Sequence, residues 1–356
     1  MRIAILGVGS LGTIIGAFIA QGGKEVELVD VNQAHIDELN KSGAKIIGST
    51  NITVPVKAIT PKEMTGKYDL VLLLTKQLYN DSILTELLPF LDDNSVVCSL
   101  QNGIPEEKIA TLIGKERVVA GSVEFGGTWV KPGVSKLTTA YETFKDHAFE
   151  IGELDGSITD RIQHIKSILD LVGNTVISTN LDGTKWSKLL VNVALSGMSA
   201  ALGCTFGEVI ENKYGVISAV HLADETIKVG KAKGIKFASM HGFDIASIEI
   251  KNEIDIQNRV ETFRTIFKPQ SLLKASMLQD LEKKINTEID CINGVIPYHA
   301  KGTGILTPFN DLVVKLVKNA EEYRTIPKFD TNIQYFKELV NELNLVSYHY
   351  KKRVDS

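Results

Sequence analysis

Short apolar runs alternate with amphipathic stretches along the first half of the chain. The apolar runs predict strands that are buried on both faces, at residues 2–6, 25–30, 69–75, 95–102 and 117–125. Between them, apolar positions at helical spacing predict helices at residues 11–20, 33–42, 80–91 and 105–114. Strands that alternate with helices in this way favour an α/β fold with a doubly wound parallel sheet.

The pattern changes towards the middle of the chain. Glycines break residues 126–155, which predicts an antiparallel extension with a turn at Pro132-Gly133, and the apolar stretch 169–179 closes the α/β part. Helical periodicity dominates from about residue 180, and the predicted helices are 184–202, 205–233, 253–267, 285–301, 309–320 and 331–344. We therefore expect an α/β domain over residues 1–181 and an all-α domain over residues 182–356.

Composition excludes several classes of function. With 356 residues, 44% hydrophobic and 23% charged, the chain is long and apolar enough for two cores. A net charge of −4 argues against a nucleic-acid partner, which usually needs a basic excess. The three cysteines, Cys98, Cys204 and Cys291, lie far apart in no metal-ligand spacing, so we expect neither disulfides nor a metal site, and a reducing, cytoplasmic compartment.

One segment resembles a membrane span in length. Residues 3–20 are largely apolar and follow Met1-Arg2, which is the charge layout of a signal peptide. Four glycines interrupt the segment, and no second apolar span of that length follows it. We therefore expect no membrane partner, and another explanation for the glycines.

That explanation is a glycine-rich motif between the first predicted strand and the first predicted helix. It consists of Gly7, Val8, Gly9, Ser10, Leu11 and Gly12. In the G-x-G-x-x-G pattern, Gly7 permits a tight turn, Gly9 lets the backbone approach a diphosphate, and Gly12 lets helix and strand pack closely. The diphosphate then lies at the positive end of the helix. The motif predicts that the first domain is Rossmann-like and binds a dinucleotide.

Asp30 stands at the end of the second predicted strand. A carboxylate there can accept hydrogen bonds from the adenosine ribose and repel a 2′-phosphate, which favours NAD(H) over NADP(H). Lys24 and Asn32 lie nearby in the sequence and leave NADP(H) open. The alternative is that Asp30 only starts the turn before the next helix.

Polar residues also follow two later strands. Lys76 comes after the strand at 69–75, and Asn102 ends the strand at 95–102. Ligands of open parallel sheets bind beyond the carboxyl ends of the strands, so both side chains are expected to reach a cofactor. A plain turn residue is the alternative for each.

Three polar residues share one face of the first helix in the second half. Lys188, Asn192 and Ser196 are spaced four apart among apolar residues. A solvent-facing stripe is the simplest interpretation, and a catalytic face is the alternative. Further on, Glu288 precedes a core-facing stripe of Ile289, Ile292 and Ile296, and capping of that helix alone could explain it.

Together these motifs resemble those of the ketopantoate reductase family. The matching stretches are GVGSLG (7–12), TKQ (75–77), QNG (101–103), KWSKLLVN (185–192), SMLQD (276–280), TEIDCING (287–294) and GILTPFND (304–311). The resemblance spans both halves of the chain in order. It implies a Rossmann domain followed by a helical domain, with an active site in the cleft that makes D-pantoate from ketopantoate with a nicotinamide cofactor.

The resemblance also implies roles for individual residues. Lys188 corresponds to the general acid, Asn192 and Ser276 to substrate contacts, and Glu288 to the acidic residue near the nicotinamide ribose. Asn102 corresponds to a residue that touches both cofactor and substrate, and the further cofactor contacts implied are Lys76 and Gly127. A lysine in this role needs a pKa lowered by burial from its ordinary value of roughly 10.4, and Glu288 would limit that shift, so both residues are catalytic candidates.

The chain departs from the family pattern at Ser196, Phe206 and Asp30. Family members usually have asparagine at the first position and commonly at the second, and NADPH-using members often have a basic or neutral residue at the third. Ser196 is kept as a substrate-binding candidate. The departures leave open an NAD-dependent D-2-hydroxyacid dehydrogenase of the same family that acts on branched or aromatic 2-oxo acids.

Two more distant alternatives complete the set. One is a β-hydroxyacid dehydrogenase, which the stretch TEIDCING (287–294) disfavours, and the other is a non-catalytic dinucleotide sensor.

The chain is longer than compact family members. The extra length lies around 236–265 and after about 325, where an added amphipathic helix is predicted. We assign these segments no chemical role, and the resemblance implies a homodimer through the C-terminal helices.

Overall fold

The computed structural model describes residues 1–240, 242–252 and 255–354, and only the backbone of residues 344–354. The chain forms two compact units, Met1–Leu181 and Asp182–Ser356, which we call the N-terminal and C-terminal units.

The N-terminal unit alternates strands and helices. Its strands are β1 (Ile3–Leu6), β2 (Val26–Val29), β3 (Ala44–Gly48), β4 (Ile52–Val54), β5 (Lys57–Ile59), β6 (Leu70–Leu73), β7 (Val96–Ser99), β8 (Val118–Val123), β9 (Gly127–Lys131), β10 (Val134–Leu137), β11 (Phe149–Glu153) and β12 (Thr175–Ile177). Its helices are α1 (Ser10–Gln21), α2 (Gln33–Ser42), α3 (Asn80–Leu87), α4 (Glu106–Ile113), α5 (Tyr141–Asp146) and α6 (Asp160–Leu169).

The main sheet has the strand order β12-β11-β8-β7-β6-β1-β2-β5. The six strands from β8 to β5 are parallel, and β11 joins β8 antiparallel. This is the doubly wound order, with its switch point between β1 and β6. The predicted α/β Rossmann-like fold is confirmed, and the switch point places the ends of β1 and β6 side by side.

The central strands are buried on both faces, as their apolar composition predicts. Ile3 and Ile5 of β1 belong to one core cluster, whereas Ala4 and Leu6 belong to another. Alternate residues of a strand point to opposite faces of the sheet, so β1 contributes to a core on each side. Helices cover both faces for this reason.

A second sheet with the order β4-β3-β10-β9 packs against α1. The predicted antiparallel pair, β9 and β10, is confirmed, but its parallel pairing with β3 was not predicted. The short strands β3 and β4 mix buried residues with exposed ones, so they form no apolar run. The sequence interpretation also missed β5, α5 and α6, and it assigned no element within 169–179, where β12 forms.

The C-terminal unit is helical, as predicted. Its helices are α7 (Leu181–Val191), α8 (Met198–Leu202), α9 (Phe206–Glu211), α10 (Lys213–Ala232), α11 (Asp255–Phe267), α12 (Ser276–Glu282), α13 (Ile289–Ile292), α14 (Val295–Ala300), α15 (Pro308–Glu322) and α16 (Phe329–Val354). Between α7 and α8 the chain makes a wide π-helical turn, Asn192–Gly197, which we call the π segment. No helix in the described part of the chain is long and apolar enough to cross a membrane.

Several predicted helices differ from the observed ones. The π segment interrupts 184–202, and Asn212 divides 205–233 because its Oδ1 caps α10 by accepting from Tyr214 N and Gly215 N. Asn293-Gly294 divides 285–301, and α12 was missed. Residues 253–254 of the predicted helix 253–267 lie outside the described residues. The added helix after 325 is confirmed as α16, which is longer than predicted.

Candidate active site

The glycine-rich turn between β1 and α1 is closely packed. Gly7 has a φ of +93°, and a Cβ there would lie 2.6 Å from Thr75 N, just beyond β6. A Cβ on Gly12 would lie 2.2 Å from the Gly7 carbonyl oxygen. Neither position can hold a side chain without moving the backbone, which agrees with the roles predicted for both glycines.

Gly9 differs from Gly7 and Gly12, because no atom lies within 4 Å of the position that a Cβ would take. It is also the N-cap residue of α1, a helix of 12 residues whose N-terminus carries a partial positive charge. Open space beside exposed backbone N–H groups is what a diphosphate requires. Residues 7–12 therefore fit the diphosphate of a dinucleotide.

Asp30 is hydrogen-bonded to this turn. Its Oδ2 accepts from Val8 N at 2.8 Å, and its Oδ1 accepts from Asn32 N at 3.0 Å. The second bond agrees with the turn interpretation, although the N-cap of α2 is Asn32 and not Asp30. Each carboxylate oxygen has a second lone pair that can accept another hydrogen bond. The side chain is thus held in place with capacity left for a ligand.

A cavity of about 790 Å³ opens beside the turn. Its lining includes Gly7, Gly9, Asp30 and Lys76. It also includes the apolar residues Pro61, Met64, Ile83, Leu87 and Phe90. A lining that combines apolar side chains with a carboxylate and the glycine-rich turn has the composition that an adenosine moiety requires.

Side-chain amides connect the ends of β6 and β7. Gln101 Nε2 donates to the Thr75 carbonyl at 2.7 Å, and Gln101 and Asn80 exchange two amide hydrogen bonds at 2.7 and 3.0 Å. Gln77 Nε2 donates to the Asn102 carbonyl. Asn102 itself is exposed, and it is not among the residues that line the cavity. The sequence interpretation missed these amides, although TKQ and QNG contain two of them.

A buried histidine, His35, connects the β9–β10 turn to the glycine-rich turn. His35 is 1% exposed, and its Nδ1 accepts from Gly133 N at 2.9 Å. Its Nε2 lies 3.2 Å from Thr13 Oγ1, which donates to the Gly9 carbonyl at 2.7 Å. Burial lowers the pKa of His35, which keeps the ring neutral and able to accept. This link from the β9–β10 turn to the glycine-rich turn was not predicted.

Gly127 begins β9 and lies against α1. A Cβ there would meet Ile14 Cδ1 at 2.8 Å and Leu11 Cδ2 at 3.3 Å. The position therefore admits only a small residue. Packing against α1 accounts for this, and the implied cofactor contact stays a prediction.

In the C-terminal unit, the predicted stripe on α7 and the π segment is confirmed. Between residues 183 and 202 only four positions, spaced four apart, are partly exposed, and all the others are buried. The partly exposed residues are Thr184, Lys188, Asn192 and Ser196. Thr184 belongs to the same face and was not predicted. Ser196 Oγ donates to Asn192 Oδ1 at 3.4 Å. A single polar face on an otherwise buried helix is the arrangement expected of a binding surface.

Three further positions that the sequence analysis singled out stand at the N-termini of helices that contact the π segment. Phe206 is the first residue of α9, Ser276 is the first residue of α12, and Glu288 is the N-cap of α13. All three helices contact the π segment. The three helices that begin at these positions therefore pack against the segment that contains Asn192 and Ser196.

Each of these three positions has a defined setting. Phe206 is 6% exposed, and its N–H donates to the Leu273 carbonyl at 3.0 Å. Ser276 is exposed, and Ala275 N before it donates to Ser199 Oγ at 3.3 Å.

The Glu288 side chain makes no capping hydrogen bond, so capping does not explain the presence of this residue. Thr287 provides that bond instead, because its Oγ1 accepts from Ile289 N at 3.1 Å. The core-facing stripe that follows, Ile289, Ile292 and Ile296, is buried as predicted.

Comparison with known proteins gives two family-model matches. Residues 3–155 match the model described as ketopantoate reductase PanE/ApbA, and residues 180–321 match the model of its C-terminal domain. Among curated proteins, the chain is 33% identical to a 2-dehydropantoate 2-reductase of Pyrococcus horikoshii, over 90% of this chain and 98% of that protein. It is 27% identical to the Lactococcus lactis enzyme of the same name, with the same coverage.

Similar solved structures agree with the fold. One is titled as a ternary structure of D-mandelate dehydrogenase with NADH and anilino(oxo)acetate, with a TM-score of 0.77, 24% identity and coverage of 91% of this chain and 99% of that chain. Another is a PanE/ApbA family ketopantoate reductase from Ralstonia eutropha, with the same TM-score, identity and coverage. At this level of identity the likeness concerns the fold alone.

Proposed function

The chain belongs to the ketopantoate reductase family, which makes it an NAD(P)-dependent oxidoreductase acting on a CH–OH group, and we propose that it reduces 2-dehydropantoate to D-pantoate. The observation that carries the proposal is the polar face of Lys188 and Asn192 on a helix that is otherwise buried. The partial burial of this lysine beside a neutral amide supports a role in chemistry on an oxygen atom rather than in solubility.

In this proposal Lys188 is the general acid. Reduction of a ketone leaves negative charge on the carbonyl oxygen, which an ammonium group stabilises as the charge develops. Lys188 Nζ donates a hydrogen bond to that oxygen and then transfers its proton to it, which yields the hydroxyl group of the product. A nicotinamide dinucleotide held by the N-terminal unit would supply the hydride for this reduction when bound.

The neighbouring groups orient the substrate. The Asn192 amide lies one turn beyond Lys188 and both donates and accepts hydrogen bonds, which suits a hydroxyl group next to the ketone. Ser276 presents an exposed hydroxyl at the first residue of α12, which suits a carboxylate oxygen. In this proposal Ser196 and Asn102 are the further substrate contacts, and Glu288 contacts the nicotinamide ribose.

The N-terminal unit holds the cofactor. Residues 7–12 bind the diphosphate, and Asp30 accepts from the adenosine ribose, with Lys76 and Gly127 as further contacts. We propose NADH as the preferred cofactor because the Asp30 carboxylate is fixed by two backbone N–H groups beside the cavity. A carboxylate held there repels a 2′-phosphate and cannot turn away from it without losing both bonds.

A second candidate function rests on Ser196 and Phe206. A hydroxyl and a buried aromatic ring stand where the family pattern has amides, so fewer hydrogen bonds are available to a hydroxylated substrate. This favours an NAD-dependent D-2-hydroxyacid dehydrogenase for branched or aromatic 2-oxo acids. The reaction and the role of Lys188 are the same in both candidates.

A substrate panel distinguishes the two. We would measure steady-state oxidation of NADH and of NADPH with 2-dehydropantoate, 2-oxoisovalerate, 2-oxoisocaproate and phenylglyoxylate. A kcat/KM for 2-dehydropantoate about tenfold or more above the others supports the pantoate role. A preference for the bulky acids supports the second candidate. Binding of NADH without turnover of any acid contradicts both and leaves a dinucleotide sensor.

A further inference from the structure

The side-chain amide of Asn293 contacts both ends of the π segment. Its Nδ2 donates to the Val193 carbonyl at 3.1 Å, one residue after Asn192. Its Oδ1 lies 2.4 Å from the position that a Cβ on Gly197 would take, so it rests against the backbone at the other end of the segment. Asn293 is fully buried, between α13 and α14.

Asn293 is itself anchored by a chain of buried polar groups. Its Nδ2 donates a second hydrogen bond to Asn310 Oδ1 at 3.1 Å, and Asn310 Nδ2 donates to Glu225 Oε2 at 2.7 Å. The Glu225 carboxyl group also accepts from Phe309 N and Asn310 N at the start of α15. The amide therefore takes its position from α10 and α15, which are long helices.

The orientation of the Asn293 amide follows from these partners. Two carbonyl oxygens face Nδ2, and an oxygen in its place would be repelled by both. Burial raises the pKa of Glu225 to about 8, whereas the N–H groups of Phe309 and Asn310 favour its charged form. In either charge state Glu225 can accept from Asn310 Nδ2.

This orientation leaves one atom unsatisfied. Asn293 Oδ1 is buried and accepts no hydrogen bond from the residues that the structure describes. An unsatisfied buried oxygen is unfavourable for stability, and an apolar side chain of similar size would avoid it. The amide is therefore better explained by what it does to the π segment than by its contribution to the core.

The π segment determines where two substrate-facing side chains point. A π turn contains more residues than an α turn and must be held open by tertiary contacts, and such turns occur frequently at functional sites. The segment begins at Asn192, directly after the last turn of α7, which contains Lys188, and it contains Ser196. Any change in its winding rotates Asn192 and Ser196 relative to Lys188.

We infer that Asn293 is a positioning residue, which holds the π segment open so that Asn192 and Ser196 share one face with Lys188. This inference rests on the proposed function, since it assigns that face to the substrate. It requires Gly197 to be glycine, because a Cβ would displace the Asn293 amide. Asn293 and Gly197 therefore act as one unit.

The test is a double-mutant cycle of Asn293→Ala and Gly197→Ala, with Asn319→Ala on the exposed face of α15 as the control. We expect each single variant to lower kcat/KM for the preferred 2-oxo acid about tenfold or more, because small misplacements of substrate-binding groups have large effects. The NADH dissociation constant should stay within about twofold. The double variant should be no worse than Asn293→Ala, since loss of the amide makes room for the new Cβ.

Hydrogen exchange of residues 192–198 adds a readout that does not need turnover. Faster exchange there in both single variants, and not in Asn319→Ala, supports the inference. Unchanged kcat/KM, an equal loss of NADH affinity, or effects that multiply in the double variant would overturn it. If Asn293→Ala does not fold, Gly197→Ala alone decides through the same measurements. If the wild-type protein reduces no 2-oxo acid, the proposed function fails, and the exchange data then decide whether Asn293 holds the segment.

Discussion

Asp30 Oδ2 accepts a hydrogen bond from Val8 N at 2.8 Å, which connects the acidic end of β2 directly to the glycine-rich turn after β1. The residue proposed to select the cofactor and the turn proposed to bind its diphosphate are thus parts of one structure. A change at Asp30 should therefore alter cofactor selection more than catalysis.

We predict that Asp30→Asn lowers the preference for NADH over NADPH by about tenfold or more, because it removes the charge that repels a 2′-phosphate. Asparagine retains the shape of the aspartate side chain, and its amide oxygen can still accept a hydrogen bond from one of the two backbone N–H groups. The measurement is kcat/KM for each cofactor at a saturating concentration of the 2-oxo acid. Asp37→Asn, on the exposed face of α2, is the control. An unchanged preference would show that Asp30 serves the turn alone.

The His35 contacts predict an effect on both stability and cofactor binding. His35→Leu leaves the buried Gly133 N–H without its acceptor and removes the contact to Thr13, so we expect a loss of about 1–3 kcal/mol in the free energy of unfolding. The KM for NADH should rise while the KM for the 2-oxo acid changes little. Urea unfolding and steady-state kinetics measure the two effects.

His147 is exposed, which makes His147→Leu a suitable control, with an expected change within about 0.5 kcal/mol. Equal stability of the two variants would contradict the structural role of His35. A stability loss with an unchanged KM for NADH would limit that role to folding.

His221 predicts a pH dependence. Its ring stacks on Phe309 with centroids 4.5 Å apart, and burial, with a smaller effect of Lys228, lowers its pKa to about 4. The imidazole of the unfolded chain titrates near ~6.5, so between these pH values the unfolded state binds a proton that the folded state does not. The free energy of unfolding should therefore fall as the pH decreases from about 6.5 to 4, and should not depend on His221 above that range.

At pH 4 the contribution of His221 is about 3 kcal/mol, because its pKa differs by about 2.5 units between the two states and each unit corresponds to roughly 1.4 kcal/mol. His221→Phe keeps a stacked ring and removes the titration. We expect the difference in unfolding free energy between this variant and the wild type to grow below pH 6.5 in urea titrations. A difference that is constant from pH 4.5 to 7.5 would contradict the assignment.

Local patterns account for what could be predicted from the sequence. Strands such as β1 and β6 are apolar on both faces, and the glycine-rich turn needs its glycines for contacts with adjacent backbone, so both are visible in a few residues. The face of Lys188 and Asn192 follows from helical spacing in the same way. These features required no knowledge of distant residues.

Long-range contacts account for what could not be predicted. The π segment interrupts an ideal apolar helix pattern, and the amide that contacts it, Asn293, lies 100 residues from Val193 in the sequence. His35 meets Gly133 across 98 residues. The sheet formed by β3 and β10 likewise joins short strands from distant segments. In each case the pairing exists only in the folded chain, so no local spacing indicates it.

The central claim is that Lys188 supplies the proton to the substrate oxygen. Its most direct test is kcat/KM of Lys188→Ala with the preferred 2-oxo acid, together with the NADH dissociation constant from fluorescence and with exposed Lys283→Ala as the control. We predict a loss of about 10²–10⁴-fold in kcat/KM with NADH affinity unchanged, because removal of a general acid affects the transition state and not cofactor binding. A Lys188→Ala enzyme that keeps most of its activity would contradict the account.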